Sequence, residues 1–385
     1  MNSSSLYLHI PFCEHKCIYC DFYSIAPNGN GHTEYQDLMT AFLSALNQEI
    51  RMRSDDPRFA SVYDTVFFGG GTPSLLDPSN ITEILGLLSS RFSLSTDAEI
   101  TLETNPGTVD LAKLARFRQA GVNRVSIGIQ SFHEDDLKFL TRIHSSTQAK
   151  ECVRNAFKAN FTNVSLDLIF SLPGQTFDRW KSNLEQAMEL EPTHISCYSL
   201  TIEPNTPLSR MVALKQVTPL PRDQDADFFA FTADFLAQHG FEQYEISNFC
   251  RPGYSSKHNQ RYWDHSNYLG LGPSAHSFWN GTRWWNLSNV AGYIKRMEEG
   301  VLPTAGEETL TGEQRWEEEV FLGLRSKGIE LQKIEERYGS DVGKEYRSKI
   351  DELVNGNLAT LDGKVVRLTS KGYALCDEIC CSLIL

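Results

Sequence analysis

Residues 62–73, VYDTVFFGGGTP, combine a short apolar run with the glycine-rich turn that ends it. The run from Val62 to Phe68 is rich in Val, Phe and Tyr, which favours a buried β-strand, and three consecutive glycines stop it. Asp77-Pro78 then begins a helix as N-cap and first helical residue. The apolar residues of that helix recur on one face: Ile81, Ile84, Leu85 and Leu88. The stretch therefore predicts one complete unit of strand, turn and helix.

The same unit repeats along the first half of the chain. Further strands are predicted at 6–10, 99–104, 122–130, 164–170 and 195–202. Helical patterns lie between them, at 33–50, 110–120, 134–142, 147–160 and 176–190. Six such units in succession require right-handed crossovers and a parallel sheet, but they fall short of the eight units of a closed barrel. The sequence therefore predicts an α/β protein with an open or partial (β/α)6 barrel, and a doubly wound sheet is the alternative.

The pattern changes after Pro207. An amphipathic helix is predicted at 223–239, and residues 241–292 are rich in aromatic residues, Gly, His and Asn. Helices are predicted at 313–326, 331–338 and 342–354, and a hairpin at 358–369 around Asp362-Gly363. Helices followed by a hairpin are typical of a winged-helix module. We therefore divide the chain into a barrel (1–215), an aromatic and His-rich region (216–304) and a winged-helix-like domain (305–385).

Composition and charge exclude several classes of protein. The chain has 385 residues, 41% of them hydrophobic and 22% charged, as expected for a globular protein of two or three domains. Its net charge of −13 argues against a nucleic-acid partner, because such binders need excess Lys and Arg. The sequence has neither a membrane-length apolar run nor the features of a signal peptide. We expect a cytoplasmic protein without a membrane span.

Three of the nine cysteines form one short motif directly after the first predicted strand. Cys13, Cys17 and Cys20 have the spacing C-x3-C-x2-C. Three thiolates in one loop suit a [4Fe–4S] cluster, whose fourth iron stays open for an outside ligand. The alternative is structural zinc with His9 or His15 as fourth ligand. Structural zinc usually takes two separated Cys/His pairs, and no second pair follows downstream, so we favour the cluster.

Polar residues also mark the ends of the later strands. In parallel barrels, chemistry takes place at the carboxyl ends of the strands. The residues at these ends are Gly69-Gly70-Gly71-Thr72, Glu103, Gln130, Arg142 and Asp167. Each has a simple structural explanation, as a tight turn, a solvent-facing polar group or, for Asp167 with Arg142, an ion pair. Their placement on successive strands instead predicts one site around the cysteine loop.

Five motifs, in chain order, resemble those of the radical S-adenosylmethionine (SAM) superfamily. The branch is that of oxygen-independent coproporphyrinogen III oxidase (HemN) and its relatives, the HemW heme chaperones. The matching residues are the cysteine motif with Tyr7, Gly69-Gly70-Gly71-Thr72-Pro73, Leu102-Glu103-Thr104-Asn105-Pro106, Gly128-Ile129-Gln130-Ser131 and Asp167-Leu168-Ile169-Phe170. The resemblance covers nearly the whole chain, including a tail similar to the HemN C-terminal domain around residues 323–328. It implies a partial radical SAM barrel.

The resemblance also implies a role for each matching residue. Cys13, Cys17 and Cys20 would ligate a [4Fe–4S] cluster. The amino and carboxylate groups of SAM would chelate the open iron. SAM itself would be held by Tyr7, Gly70, Gly71, Thr72, Glu103, Gln130, Arg142 and Asp167.

Two features resemble the heme-chaperone sub-branch. The oxidases carry a fourth cysteine two residues after the third, where this chain has Phe22. The segment His258–Trp263 matches the H-N-x-x-Y-W heme motif, which implies heme binding by His258, Asn259, Tyr262 and Trp263. His258 would be the axial ligand of the heme iron, and His276 or Cys250 would be the next candidates for that role. The alternative is that this aromatic segment only packs over the barrel, with His258 hydrogen bonded inside the protein.

The function implied by the resemblance is that of a heme chaperone. It would bind a [4Fe–4S] cluster, SAM and heme, and pass the heme to an acceptor protein. The implied partners also include an electron donor for the cluster and peripheral contact with membrane heme proteins. One alternative is a coproporphyrinogen oxidase that decarboxylates propionate side chains. The other is a non-redox scaffold whose three cysteines bind no cluster. No residue is assigned a catalytic role, and whether SAM is cleaved is left open.

Overall fold

A twelve-stranded sheet forms the centre of the protein in the computed structural model, which describes residues 3–27, 32–332, 336 and 340–383. A separate three-stranded sheet lies in the C-terminal region. The strands are β1 (Ser4–Ile10), β2 (Val62–Gly70), β3 (Ser93–Thr104), β4 (Arg124–Gln130), β5 (Asn163–Phe170), β6 (His194–Ser199), β7 (Glu242–Gln243), β8 (Asn248–Cys250), β9 (Tyr268–Leu271), β10 (His276–Trp279), β11 (Thr282–Asn286), β12 (Thr304–Thr309), β13 (Ile329–Glu330), β14 (Ala359–Asp362) and β15 (Val365–Leu368).

Most of the helices connect or cover these strands. They are α1 (His32–Ser54), α2 (Pro78–Arg91), α3 (Leu111–Ala120), α4 (Glu134–Phe139), α5 (Ser146–Lys158), α6 (Phe177–Met188), α7 (Pro207–Ala213), α8 (Arg222–Gln238), α9 (Lys257–Trp263), α10 (Val290–Glu298), α11 (Gly312–Leu324), α12 (Ser340–Asn355), α13 (Ser370–Tyr373) and α14 (Cys376–Leu383). The helix predicted at 331–338 lies partly outside the described residues.

Strands β1 to β6 are parallel and follow one another in sheet order, as six consecutive βα units should. This order confirms the partial (β/α)6 barrel, because a doubly wound sheet reverses direction at a switch point. The predicted end signals are present. Asp77 caps α2 by accepting a hydrogen bond from the Ser79 amide, and Gly121 ends α3 at a φ of 112°.

Strands from the second half of the chain extend the sheet at both edges. Strand β9 pairs in parallel with β1, and β10, β11 and β12 continue outward from it in antiparallel order. At the other edge, β8 pairs antiparallel with β6 and carries β7. Among the described residues, β12 and β7 are therefore the two edge strands of the sheet, and the added strands widen it on both sides of β1 to β6.

The C-terminal region has a hydrophobic core of its own, formed by α11, α12, α14 and the sheet β13-β15-β14. Gly363, at a φ of 61°, makes the turn of the predicted hairpin between β14 and β15. Helices followed by this hairpin confirm the winged-helix-like fold. Phe229 and Ile246 pack against this core, which joins it to the preceding region. The predicted boundaries at 215/216 and 304/305 stay a prediction.

No helix in the described ranges is both long enough and apolar enough to cross a lipid bilayer.

Candidate functional site

The cysteine loop leaves β1 at the carboxyl edge of the sheet and is held at its base by backbone hydrogen bonds. The amide of Cys13 donates to the carbonyl of Ile25 at 2.9 Å, and the amide of Ile25 donates to Pro11 at 2.7 Å. Cys13 is buried, whereas Cys17 and Cys20 are half-buried. Cys17 and Cys20 are therefore the two cysteines of the loop with part of their surface accessible, and Cys20 lines the cavity described below.

Polar groups from other strands reach these sulfurs. The Thr72 hydroxyl lies 3.5 Å from the Cys13 Sγ atom, and Arg142 Nη1 lies 3.6 Å from the Cys17 Sγ atom. Burial raises the pKa of Cys13 and raises that of Cys20 to about 11, so both are thiols at neutral pH without a metal. A metal group that binds here displaces those protons.

His9 does not face the cysteines as a spare ligand. Its Nε2 atom is 2.8 Å from the Tyr23 carbonyl oxygen, and its Nδ1 atom is 3.1 Å from the Tyr7 hydroxyl. In the described part of the chain, no three His, Cys, Asp or Glu side chains are close enough to hold a single metal ion. His9 is therefore engaged elsewhere in the structure and is not placed as the fourth ligand of the zinc alternative.

The glycine-rich turn lets β2 end directly against the start of the cysteine loop. A Cβ atom at Gly71 would lie 2.7 Å from the Phe12 carbonyl oxygen, and Gly70 has a φ of +105°. The amides of Gly71 and Thr72 donate to Ile10 and Phe12 at 2.8 and 2.7 Å. Larger residues at 70 and 71 would push these two segments apart.

Two carboxyl groups lie inside the barrel next to this turn. Glu103 Oε2 accepts a hydrogen bond from the Gly70 amide at 3.2 Å, and Asp167 accepts from the Ser126 hydroxyl at 3.1 Å. Burial, with a smaller contribution from Asp167, raises the pKa of Glu103 to about 8. Burial also raises the pKa of Asp167. A cationic ligand would favour the ionised form of both groups.

Arg142 links the cysteine loop to the end of β4. Its Nη2 atom donates to the Gly128 carbonyl at 2.8 Å, while its buried Nε atom has no hydrogen-bond partner among the described residues. Gln130, at the end of β4, has a φ of 68° at a register shift in the β4–β5 pairing. The ion pair between Arg142 and Asp167, the structural alternative for these two residues, is not among the salt bridges of the described residues, so Arg142 keeps a donor for another group.

A cavity of about 410 Å³ opens between the cysteine loop and these strand ends. Its lining includes most of the predicted site: Cys20, Gly70, Gly71, Thr72, Glu103, Gln130, Arg142 and Asp167. Tyr7 is not in the lining and lies deeper, with its ring 6.2 Å from that of Phe67. The volume falls within the usual range for small-molecule sites.

The lining also contains residues that the sequence argument missed. Ser126 lies two residues before Gly128 on β4. Tyr198 is the penultimate residue of β6, and Glu203 follows that strand. The rule of polar groups at strand ends was applied to five strands, and applying it to β6 would have found Tyr198. Phe22 also lines the cavity and is 63% exposed at its rim.

The aromatic segment of α9 lies apart from this cavity. His258 is only 1% exposed, and its Nδ1 and Nε2 atoms are 2.7 Å from the Thr65 hydroxyl and 2.9 Å from the Tyr262 hydroxyl. Its ring stacks on Phe67 at 4.8 Å. Burial, with help from nearby Arg124 and Arg261, lowers the pKa of His258 to about 3. This geometry corresponds to the packing alternative, with side-chain hydroxyls as its partners, while the heme role of His258 stays a prediction.

The remaining residues of this motif are half-buried. The Asn259 amide donates to the Ser256 hydroxyl at 3.2 Å, and the Tyr262 ring meets that of Tyr268 edge to face at 4.8 Å. Trp263 ends the helix. The structure therefore packs His258 against β2 and Tyr262 against β9, and none of the four residues lines the cavity.

A partial barrel, a three-cysteine loop and a glycine turn facing one cavity, together with the winged-helix-like domain, define a radical SAM protein of the HemN type. The Radical SAM superfamily model matches residues 7–187, and the HemN C-terminal domain model matches residues 310–375. Members of this superfamily use a [4Fe–4S] cluster and SAM, and the donor set described above fits both. The solved structure of HemN from Escherichia coli, a coproporphyrinogen III oxidase, has a TM-score of 0.82 and 25% identity, covering 99% of this chain and 90% of that chain.

Similar proteins of known name indicate which branch of the radical SAM superfamily this chain belongs to. Heme chaperone HemW of Lactococcus lactis is 35% identical over 98% of this chain and 96% of its own length. HemW of Escherichia coli is 40% identical over 71% of this chain and 69% of its own length. The mitochondrial radical S-adenosyl methionine domain-containing protein 1 of Danio rerio is 35% identical over 99% of this chain and 87% of its own length. The chain belongs to the HemW family.

Proposed function

We propose that this protein is a heme chaperone that binds heme and passes it to an acceptor protein in the cytoplasm. The similarity to the Lactococcus lactis heme chaperone along almost all of both chains supports this function. The structural observation that carries it is Phe22, which occupies the cavity rim with 63% of its surface exposed. The oxidases resembled here would carry a fourth cysteine at this position, so the rim is apolar where they have a thiol.

Three cysteines and the glycine turn would hold the cluster and SAM. Cys13, Cys17 and Cys20 would ligate the [4Fe–4S] cluster, which supplies redox chemistry and an iron open to an outside ligand. Gly70, Gly71 and Thr72 present backbone and hydroxyl groups where SAM would place its amino group.

Charged groups of the cavity wall would orient SAM. The carboxyl groups of Glu103 and Asp167 complement its positive centres, and the unpartnered Nε atom of Arg142 is suited to its carboxylate. Gln130 completes the wall at the end of β4. Tyr7 would act one layer deeper, through its hydrogen bond with His9. An electron donor for the cluster is a further partner that this function requires.

Heme would bind outside the cavity, in the region that contains His258, Asn259, Tyr262 and Trp263. Aromatic side chains suit a flat apolar macrocycle, which supports this placement. The acceptor would be a heme protein, including membrane heme proteins contacted peripherally. The acidic net charge of −13 disfavours nucleic acid as a partner.

A second candidate function is that of a coproporphyrinogen oxidase. It is favoured by the overlap with the HemN structure at a TM-score of 0.82. Both functions use the same cluster and the same SAM site, so the product of the reaction separates them.

The test uses the full chain with its cluster reconstituted under anaerobic conditions. Heme titration should give a displaced Soret band that saturates near one heme per chain. Reduced protein with SAM and coproporphyrinogen III should give no decarboxylated porphyrin in chromatography with mass detection. SAM-dependent formation of protoporphyrinogen IX would instead support the oxidase, and failure to bind heme would contradict the chaperone.

A further inference from the structure

Arg124 is a buried cation that the site described above does not use. It is the first residue of β4, and only 2% of its surface is exposed. Its Nε atom has no hydrogen-bond partner among the described residues, and no salt bridge links its guanidinium to a carboxylate there. A charge buried in this way is costly unless other charges nearby compensate it.

The strand register places the Arg124 side chain inside the barrel. Side chains on one face of a strand recur at every second residue, so Arg124 shares a face with Ser126 and Gly128. Both of those residues line the cavity, whereas Arg124 does not. Arg124 therefore lies deeper in the barrel than the cavity wall.

Arg124 stands on the strand between two buried carboxyl groups. Glu103 on β3 pairs with Ser126, one inward-facing position above Arg124, and the Ser126 hydroxyl donates to Asp167 on β5 at 3.1 Å. One such position is about 7 Å along a strand, which an extended arginine side chain can span. The two carboxyl groups therefore separate the guanidinium from the cavity.

The charge of Arg124 acts on both carboxyl groups. Burial is the largest influence on each of them; it raises the pKa of Glu103 to about 8 and raises that of Asp167, while Arg124 lowers both. Asp167 in turn raises the pKa of Glu103. Without Arg124, the two carboxyl groups would ionise side by side with no positive charge beneath them.

The other titratable groups around these three residues do not replace this charge. Burial lowers the pKa of the histidines and raises that of the tyrosines and cysteines, so that all are neutral at pH 7: Tyr7, His194, Cys197, Tyr198, Tyr244, Cys250, His258 and Tyr262. Glu99 is held by the amides of Lys257 and His258. Burial raises the pKa of Glu245 to about 8, and this group is common to every variant below.

We infer that Arg124 is a positioning residue of the SAM site, whose guanidinium holds Glu103 and Asp167 in the charged form that SAM requires. The inference rests on the SAM site proposed above. SAM has two positive centres, its amino group and its sulfonium. With SAM bound, charges would alternate in sign from the barrel interior to the cavity: Arg124, then the two carboxylates, then the cofactor.

The experiment measures the Kd of SAM by isothermal titration calorimetry at pH 6.5 and pH 9, with the full, cluster-reconstituted chain. Arg124→Met should bind SAM about tenfold more weakly than the wild type at pH 6.5 and within about twofold of it at pH 9. A rise of about one unit in carboxyl pKa lowers the ionised fraction tenfold below both pKa values, but hardly above them. Arg124→Lys, which keeps the charge, should retain the wild-type pH dependence.

Arg154→Met is the matched control, because it removes the same charge from an exposed position on α5. It should leave the Kd of SAM unchanged at both pH values. If Arg124→Met does not fold, Arg124→Gln takes its place as a smaller uncharged variant.

Calorimetry of the cofactor-free proteins gives a readout that does not depend on SAM. At pH 5 the buried Glu103 carboxyl holds its proton, so removal of Arg124 should cost little stability. Toward pH 9 that carboxyl must ionise without a cation beneath it. The melting temperature of Arg124→Met, relative to that of the wild type, should therefore fall by about 2 °C over this range.

A loss of SAM affinity that is equal at both pH values, or no loss, would overturn the role of Arg124. Failure of both neutral variants to fold, with a folded Arg124→Lys, would assign Arg124 to stability alone and also overturn it. The heme titration of the wild type is independent of these outcomes. A wild type that binds heme but not SAM would contradict the SAM site, and the role of Arg124 with it, while the chaperone function stands.

Discussion

Replacing Glu103 by Gln should make the stability of the cofactor-free protein less dependent on pH. Burial and nearby Asp167 raise the pKa of Glu103 from 4.5 to about 8. Between these values the folded chain retains a proton that the unfolded chain has released. The free energy of unfolding therefore falls as the pH rises through this window, and Gln, which has no proton to lose, removes this contribution.

The size of the effect follows from the width of that window. At about 1.4 kcal/mol per pH unit, a rise from 4.5 to about 8 corresponds to about 5 kcal/mol. A chain of 385 residues unfolds with an entropy of about 0.8 kcal/mol per kelvin. The range from pH 5 to pH 9 covers about 3 units of that window, or about 4 kcal/mol, so the melting temperature of Glu103→Gln, relative to that of the wild type, should rise by about 5 °C across it.

Differential scanning calorimetry of both cofactor-free proteins from pH 5 to pH 9 measures this difference directly. Glu185→Gln, an exposed position on α6, controls for the change in net charge. SAM should stabilise the wild type more than Glu103→Gln at pH 9, because its positive centres offset the buried carboxylate. A difference in melting temperature that is the same at every pH would refute the reasoning.

Three further predictions concern the loop, the turn and one cap. Replacing Cys13, Cys17 and Cys20 together by Ser should reduce iron from about four atoms per chain to background after anaerobic reconstitution; retained iron would contradict the cluster assignment. Gly71→Ala should weaken SAM binding about tenfold in equilibrium dialysis, because its Cβ atom meets the Phe12 carbonyl at 2.7 Å, whereas Gly86→Ala, with nothing within 4 Å, should not. Asp77→Ala should lower stability by about 1 kcal/mol through loss of the α2 cap, with unchanged SAM affinity.

Local sequence patterns were sufficient for the six βα units because each strand and helix carries its own periodicity and end signals. Asp77 and Gly121 mark a helix start and a helix end, and both are confirmed. Placement of polar residues at strand ends was also informative, since parallel strands bring their carboxyl ends to one edge. The shared cavity around Glu103, Arg142 and Asp167 follows from that geometry.

The aromatic region could not be placed from sequence. Strands β7 to β11 have two to five residues each, too few to show a period, and they form only by pairing with distant strands. Burial of His258 likewise depends on Thr65, 193 residues away in the sequence. Tyr7 lies below the cavity because successive positions along β1 differ in depth, which a motif match does not encode.

Substitution of Glu99 could impair heme delivery although this residue lies outside the cofactor cavity. In the middle of β3, four residues before Glu103, its carboxylate accepts hydrogen bonds from the amides of Lys257 and His258, both at 3.1 Å. It thereby anchors the first turn of α9, which carries the heme-type motif. A random mutagenesis screen for heme delivery should therefore recover substitutions at Glu99 that look like ligand mutants, although this residue touches neither iron nor porphyrin. Such variants would be recognised by a normal cluster spectrum combined with faster proteolysis around residues 255–265.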